Sequence, residues 1–258
     1  YACSDVESAA SIANRALLDP EQQFKQLERH AIWIIAEDDP WFPSLLREIP
    51  HAPILLYGKG ERLNTNRIHI GIVGTRRPTA YGKEVTANIG ADLARHGLII
   101  VSGLAVGIDT IAHEAALATN ALTIAVIGSG LDERSMFPQQ NIQLSRRIAA
   151  SGGTIISEYA PGTPPMKEHF PLRNRIIAGL CRGVCVVEAR ERSGALITAQ
   201  CALEQNRDVF AVPGSIFSPT SQGTNMLIGQ GAKLVAHAED ICEEWGIESI
   251  DATHAPSD

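Results

Sequence analysis

"IHIGIVGTRRPTAYG", residues 68–82, runs from an apolar, β-branched stretch into a glycine turn and two arginines. The apolar residues are consecutive rather than alternating. That pattern suits a strand covered on both faces, as in a parallel sheet. Gly74 ends the run, and Pro78 with Thr79 opens the next element. The pattern recurs in "LIIVSG" (98–103), "LTIAVIGSG" (122–130), "TIISEY" (154–159), "GVCVVEA" (183–189), "VFAVPG" (209–214) and "KLVAH" (233–237). Helix-length segments fill most of the gaps. Alternating strand and helix implies βαβ units with right-handed crossovers. The expected fold is α/β: an extended, Rossmann-like, doubly wound, mostly parallel sheet of six or seven strands, with a small helical N-terminal remnant.

The flanks read differently. Residues 1–40 are taken as a helical remnant and lead-in, 41–245 as the Rossmann-like unit, and 246–258 as a mobile tail. "AIWIIAEDDPWFP" (31–43) reads as a strand followed by a turn, and "LLREIPHAPILLYGKG" (45–60) as a proline-interrupted lead-in to the sheet. The chain starts at Tyr1 rather than Met, which is expected of a fragment of a longer protein.

Of the 258 residues, 45% are hydrophobic, enough for a sizeable core. No apolar run approaches the roughly 20 residues that cross a bilayer. The five cysteines (Cys3, Cys181, Cys185, Cys201 and Cys242) are irregularly spaced and lack a second Cys/His pair for zinc, so buried thiols in a reducing cytoplasm are expected. The formal charge of −7 argues against nucleic acid until its distribution is considered. Residues 1–50 hold 4 basic and 9 acidic groups, and residues 238–258 hold 7 acidic and no basic ones. The middle, 51–237, carries 18 basic and 13 acidic groups, a net of +5.

Ligands of open α/β sheets bind beyond the carboxyl ends of the strands. Those ends are glycine-rich here: "GTRRPTAYG" (74–82), "SGLAVGID" (102–109), "GSGLD" (128–132), "EARERSGALITA" (188–199) and "PGSIFSPTSQGTN" (213–225). Glycine turns feeding helix N-termini make anion-binding rims. No G-x-G-x-x-G or G-x-x-x-x-G-K-[ST] occurs, so a dinucleotide or ATP is disfavoured and no cofactor is expected. Arg76 can fork onto a phosphate beside the N–H groups of Gly74 and Thr75. Asp109 and His113 share a helix face, four residues apart. The preferred reading is a capping carboxylate and a packed histidine, because no nucleophile accompanies them. "FPLRNRIIAGL" (170–180) puts Arg173, Asn174 and Arg175 in the first turns of a helix whose remainder is apolar. Lys167 and Phe170 precede them. Cations beside an aromatic platform are what a single nucleic-acid strand uses. Ser193 and Gly194 complete the candidate set, and no catalytic or metal site is assigned.

Together, "GIVGTRRPTAYG", "SGLAVGIDTIAHEAAL", "TIAVIGSGLD", "ISEY", "FPLRNRIIAGL", "VVEARERSGALITAQCALEQNRDVFAVPG" and "GTNMLIGQGAKLV" resemble the DprA/Smf family of bacterial DNA-processing proteins, from about Trp41 to Ile241. The resemblance implies a non-enzymatic, cytoplasmic homodimer that binds single-stranded DNA and helps load the RecA recombinase during natural transformation. It implies that Arg76, Lys167 and Phe170 contact DNA, with Thr75 where serine is common. Family members often carry a helical N-terminal domain and many a winged-helix C-terminal one; here the first reads as truncated and the second is not seen. The alternative is a nucleoside monophosphate phosphoribohydrolase. Those enzymes need P-G-G-x-G-T-x-x-E, whereas "RSGALITAQ" (192–200) lacks the Gly-Gly pair and the glutamate.

Overall fold

The structure, a computed structural model, describes residues 19–247. The expected tail beyond 247, most of the expected helical remnant and Cys3 lie outside the described residues. Nine strands form one sheet: β1 (Ile32–Ala36), β2 (Leu55–Gly60), β3 (His69–Val73), β4 (Ile99–Ser102), β5 (Thr123–Ile127), β6 (Thr154–Ser157), β7 (Gly183–Val186), β8 (Asp208–Ala211) and β9 (Lys233–Leu234). The helices among the described residues are α1 (Pro20–Arg29), α2 (Ser44–Arg47), α3 (Ala80–Arg95), α4 (Ile108–Ala118), α5 (Ile142–Ala150), α6 (His169–Leu180), α7 (Gly194–Glu204), α8 (Gln222–Gly229) and α9 (Ala238–Trp245).

The strand order is β1-β2-β6-β5-β4-β3-β7-β8-β9. All seven apolar runs are strands, and they pair in parallel from β6 to β9. Two more strands than expected extend the sheet. The β1–β2 hairpin is antiparallel, and β2 pairs antiparallel with β6. From sequence, β2 reads only as a lead-in because Pro50 and Pro53 interrupt the stretch before it and Gly58 and Gly60 lie within it. Those glycines make room: the Trp33 ring lies over Gly58, and its Nε1–H donates to the Gly60 carbonyl at 2.9 Å.

Every residue of β3, β4, β5, β6 and β7 is buried. Successive side chains point to opposite faces. Val73, Val101, Val126, Val184 and Val186 meet Ile176 and Ile177 of α6 and Ala199 of α7 on one face. Ile70, Ile72, Ile100 and Val187 meet Leu93 of α3 and Ala112 of α4 on the other. Each such aliphatic burial stabilises by roughly 1.5–3 kcal/mol.

The chain starts the parallel sheet in the middle, at β3, and lays β4, β5 and β6 to one side. It then returns through α6 to place β7 against the other side of β3. The connections leaving β3 and β7 therefore diverge and open a crevice at the carboxyl ends of these strands. The returning helix passes between the sheet and the segment around α2, so its C-terminal half is buried; Gly179 packs against Leu46 and Ile49. Its N-terminal turn emerges at the rim of the crevice.

Candidate nucleic-acid interface

A cavity of about 670 Å³ occupies this crevice. The β3–α3 turn contributes Gly74, Thr75 and Arg76, and the segment entering α6 contributes Lys167 and Phe170. Arg173 and Asn174 line it from α6, and Ser193 and Gly194 from the start of α7. Nine of the ten predicted residues thus meet around one space, although Gly74 and Gly194 are 120 positions apart in the chain.

The turn carrying Arg76 is held from three sides. Thr75 N–H donates to the Glu188 carbonyl at 2.7 Å, and Ile108 N–H to the Thr75 carbonyl at 3.2 Å. Gly107, at φ +92°, lies so close that a Cβ there would meet the Thr75 carbonyl oxygen at 2.5 Å. The buried Glu188 carboxylate accepts from Thr79 N–H (2.9 Å), Thr79 Oγ1–H (2.6 Å) and Thr220 Oγ1–H (3.0 Å). Arg76 itself is exposed, with its guanidinium 5.7 Å from the centre of the half-buried Phe170 ring. The expected use of the Thr75 N–H for a phosphate does not hold, because the Glu188 carbonyl already takes it. What the turn offers is the side chain of Arg76.

Arg173 differs from the exposed phosphate-binding cation that sequence suggested. It is buried, donates to the Gly103 carbonyl at 2.7 Å and to the Val126 carbonyl, and faces Asp109. Gly103 is required there, because a Cβ would lie 2.6 Å from the guanidinium. Burial lowers the Arg173 pKa to about 10; Asp109 opposes that shift and Arg76 adds to it. The group remains a cation at neutral pH, forming a charged floor under the cavity. Among the described residues its Nε–H has no partner. Asn174 is also buried and donates to the Gly194 carbonyl at 3.2 Å, tying α6 to the start of α7. Arg175 is not brought to the cavity. The next helical step turns it to another face, where it donates to the His51 carbonyl (3.0 Å) and pairs with Glu158 at 2.7 Å.

Asp109 accepts from the N–H groups of Gly103 (3.0 Å) and Ala105 (3.4 Å). Gly107, not Asp109, is the N-cap of α4. Burial raises the Asp109 pKa, against the pull of Arg173. His113 is fully buried. Thr123 Oγ1–H donates to the Ile100 carbonyl, so His113 Nδ1–H donates to Thr123 Oγ1 at 2.7 Å. Burial, with a smaller contribution from Arg173, lowers the His113 pKa to about 3. This neutral, enclosed imidazole has no route to a substrate, in line with the packed reading.

Sequence reasoning missed Phe137, Arg190 and Arg192, which also line the cavity. Phe137 comes from the β5–α5 connection, and its ring centre is 5.7 Å from that of Phe170. Arg190 and Arg192 are exposed and sit inside the quoted "EARERSG" turn, so their signal was present. Among the described residues no ion pair engages Arg76, Lys167, Arg190 or Arg192. No group of three or more His, Cys, Asp or Glu there could hold a metal ion. No helix there is long and apolar enough to cross a membrane. Cys181, Cys185 and Cys242 are buried and Cys201 partly so; burial pushes the Cys185 thiol up to about 12.

The family model for DNA recombination-mediator protein A matches residues 33–246. The chain belongs to that family. The DNA processing protein DprA of Bacillus subtilis is 48% identical over 213 residues, which cover 82% of this chain and 71% of the relative. The X-ray structure of DprA from Streptococcus pneumoniae superposes with a TM-score of 0.83 at 41% identity, covering 94% of this chain and 83% of that one. DNA processing protein A from Helicobacter pylori, whose structure addresses its single-stranded DNA binding mode, gives a TM-score of 0.72 at 30% identity, covering 83% and 95% of the two chains. The Rossmann-like architecture of the DNA recombination-mediator family is therefore shared by this chain.

Proposed function

We propose that this chain binds single-stranded DNA in the crevice at the carboxyl ends of β3 and β7, and that it serves DNA processing in recombination and transformation without altering the DNA chemically. The observation that carries this reading is the Arg76 guanidinium over the Phe170 ring, 5.7 Å from its centre, at the mouth of a cavity flanked by Lys167, Arg190 and Arg192. Cations track phosphates and the ring takes a base. The single-strand binding of the Helicobacter pylori relative supports it. The working unit in this reading is residues 41–245 together with β1 (Ile32–Ala36), which forms the edge of its sheet. The finer roles are part of the proposal: the strand is handed to the RecA recombinase, the protein acts as a homodimer, and it works in the cytoplasm.

The non-enzymatic role is supported by how the acid–base candidates are used. His113 is enclosed; Asp109 reaches the cavity wall but its carboxylate is held by the N–H groups of Gly103 and Ala105 and faces Arg173; Glu188 clamps two loops through three hydrogen bonds. The test compares a dT oligonucleotide with a duplex at matched salt. Single strands should bind more tightly, since a duplex hides the faces of its bases. Phe170→Ala should weaken single-strand binding by roughly 1–3 kcal/mol while leaving the fold intact. Equal affinity for both forms would contradict the reading.

A further inference from the structure

A second, smaller cavity of about 200 Å³ adjoins the first and shares Arg76, Ala105, Phe137, Phe170 and Arg173 with it. Its remaining walls include Val106, Pro138 and Gln140. Drug-sized ligands occupy roughly 300–1,000 Å³, so this space suits one small ring system. Its lining is apolar around a few polar groups. Phe137 is 40% exposed, more than packing alone requires. Gln140 is exposed, and no side-chain hydrogen bond engages its amide among the described residues. Arg173 contributes to the floor, where its buried guanidinium carries a positive charge.

We propose that this compartment is a nucleobase slot: it takes the base neighbouring the one stacked on Phe170, with Phe137 as the second stacking ring and Gln140 meeting the base edge. The proposal rests on the single-strand reading above and deepens it. The two compartments flank the Arg76–Phe170 pair, so a phosphate on Arg76 sits between two seated bases. Every base has a flat face for Phe137, and a carbonyl oxygen or ring nitrogen that favours the positive charge of Arg173 below it. Gln140 can both donate and accept, so it discriminates among exposed base edges.

The test uses short oligonucleotides of equal length, of dT, of dA, of dC and of abasic deoxyribose phosphate. Phe137→Leu, which keeps an apolar side chain but loses the ring, should weaken dT binding roughly tenfold. It should leave abasic binding unchanged. Phe137→Tyr keeps the ring and should bind dT like the wild type. Gln140→Ala should narrow the spread of affinities among dA, dC and dT oligonucleotides. Equal dT affinity for Phe137→Leu and wild type overturns the slot, and so does an equal loss on the abasic strand, which marks a structural effect. An unchanged spread for Gln140→Ala overturns its edge-reading role. If wild type binds none of these strands, the single-strand reading itself fails. If it binds dT, and Phe170→Ala weakens that while Phe137→Leu does not, only the slot fails.

Discussion

Two residues in this crevice look interchangeable in sequence and do opposite things. Arg76 projects into solvent over Phe170, whereas Arg173 is buried and donates to carbonyls 70 and 47 positions away in the chain. Spacing along a helix shows that Arg173 lies near the rim. It does not show that Gly103 has vacated room for a guanidinium, so the role of Arg173 was not legible, while that of Arg76 was. The same long-range packing isolates His113. Its folded pKa of about 3 lies below the ordinary 6.5, so the unfolded chain binds a proton that the folded chain refuses. The stability this contributes is fully present above about pH 6.5 and is lost as pH falls towards about 3. His113→Asn, which retains an N–H near the Nδ1 position, should flatten that acid-side fall. Denaturant midpoints measured from pH 7 to 4 check it; parallel curves for the two proteins would contradict it.

Among the elements, the strands were the most legible. Burial on both faces imposes continuous apolar runs, and each run became a strand of the parallel sheet. The β1–β2 hairpin was half seen, because its pairing depends on Trp33 covering Gly58, a contact between residues that sequence spacing does not relate. Phe137 was missed for a similar reason: "MFPQQN" carries no periodicity, and only the neighbouring ring of Phe170 gives it meaning. The β3–α3 turn depends on another element altogether. α4 begins at Gly107, whose positive φ and lack of a side chain let it press on the Thr75 carbonyl. Gly107→Ala should destabilise the protein by about 1–3 kcal/mol from backbone strain alone, with the contact adding to it. It should also weaken single-strand binding, because Arg76 moves with the turn. Urea unfolding and a binding isotherm on the same preparation test both parts; an unchanged midpoint would show that the turn tolerates the methyl group.

At the scale of the molecule, a chain with a formal charge of −7 still presents a cationic crevice, because Arg76, Lys167, Arg190 and Arg192 meet at the carboxyl ends of the strands. Screening at about 0.15 M confines each charge to roughly 8 Å, so local placement outweighs the total. Arg76, Lys167, Arg190 and Arg192 offer four phosphate contacts, which predicts a slope of about −3 for log K against log salt. Arg76→Ala should make that slope shallower by about 0.7. Arg175→Ala should leave it unchanged, since that guanidinium is paired with Glu158 on another face. A salt titration of the three proteins on one dT strand measures this, and a changed slope for Arg175→Ala would return that residue to the interface. The crevice has one more property. Its groups come from the ends of β3, β5, β6 and β7, from Arg76 to Arg192, so no short piece of the chain contains it. A strand of DNA therefore recognises only the finished sheet and holds the molecule in that state. At a hundred times its dissociation constant it would add about 2.7 kcal/mol to the free energy of unfolding, making the cargo a reversible brace for its carrier.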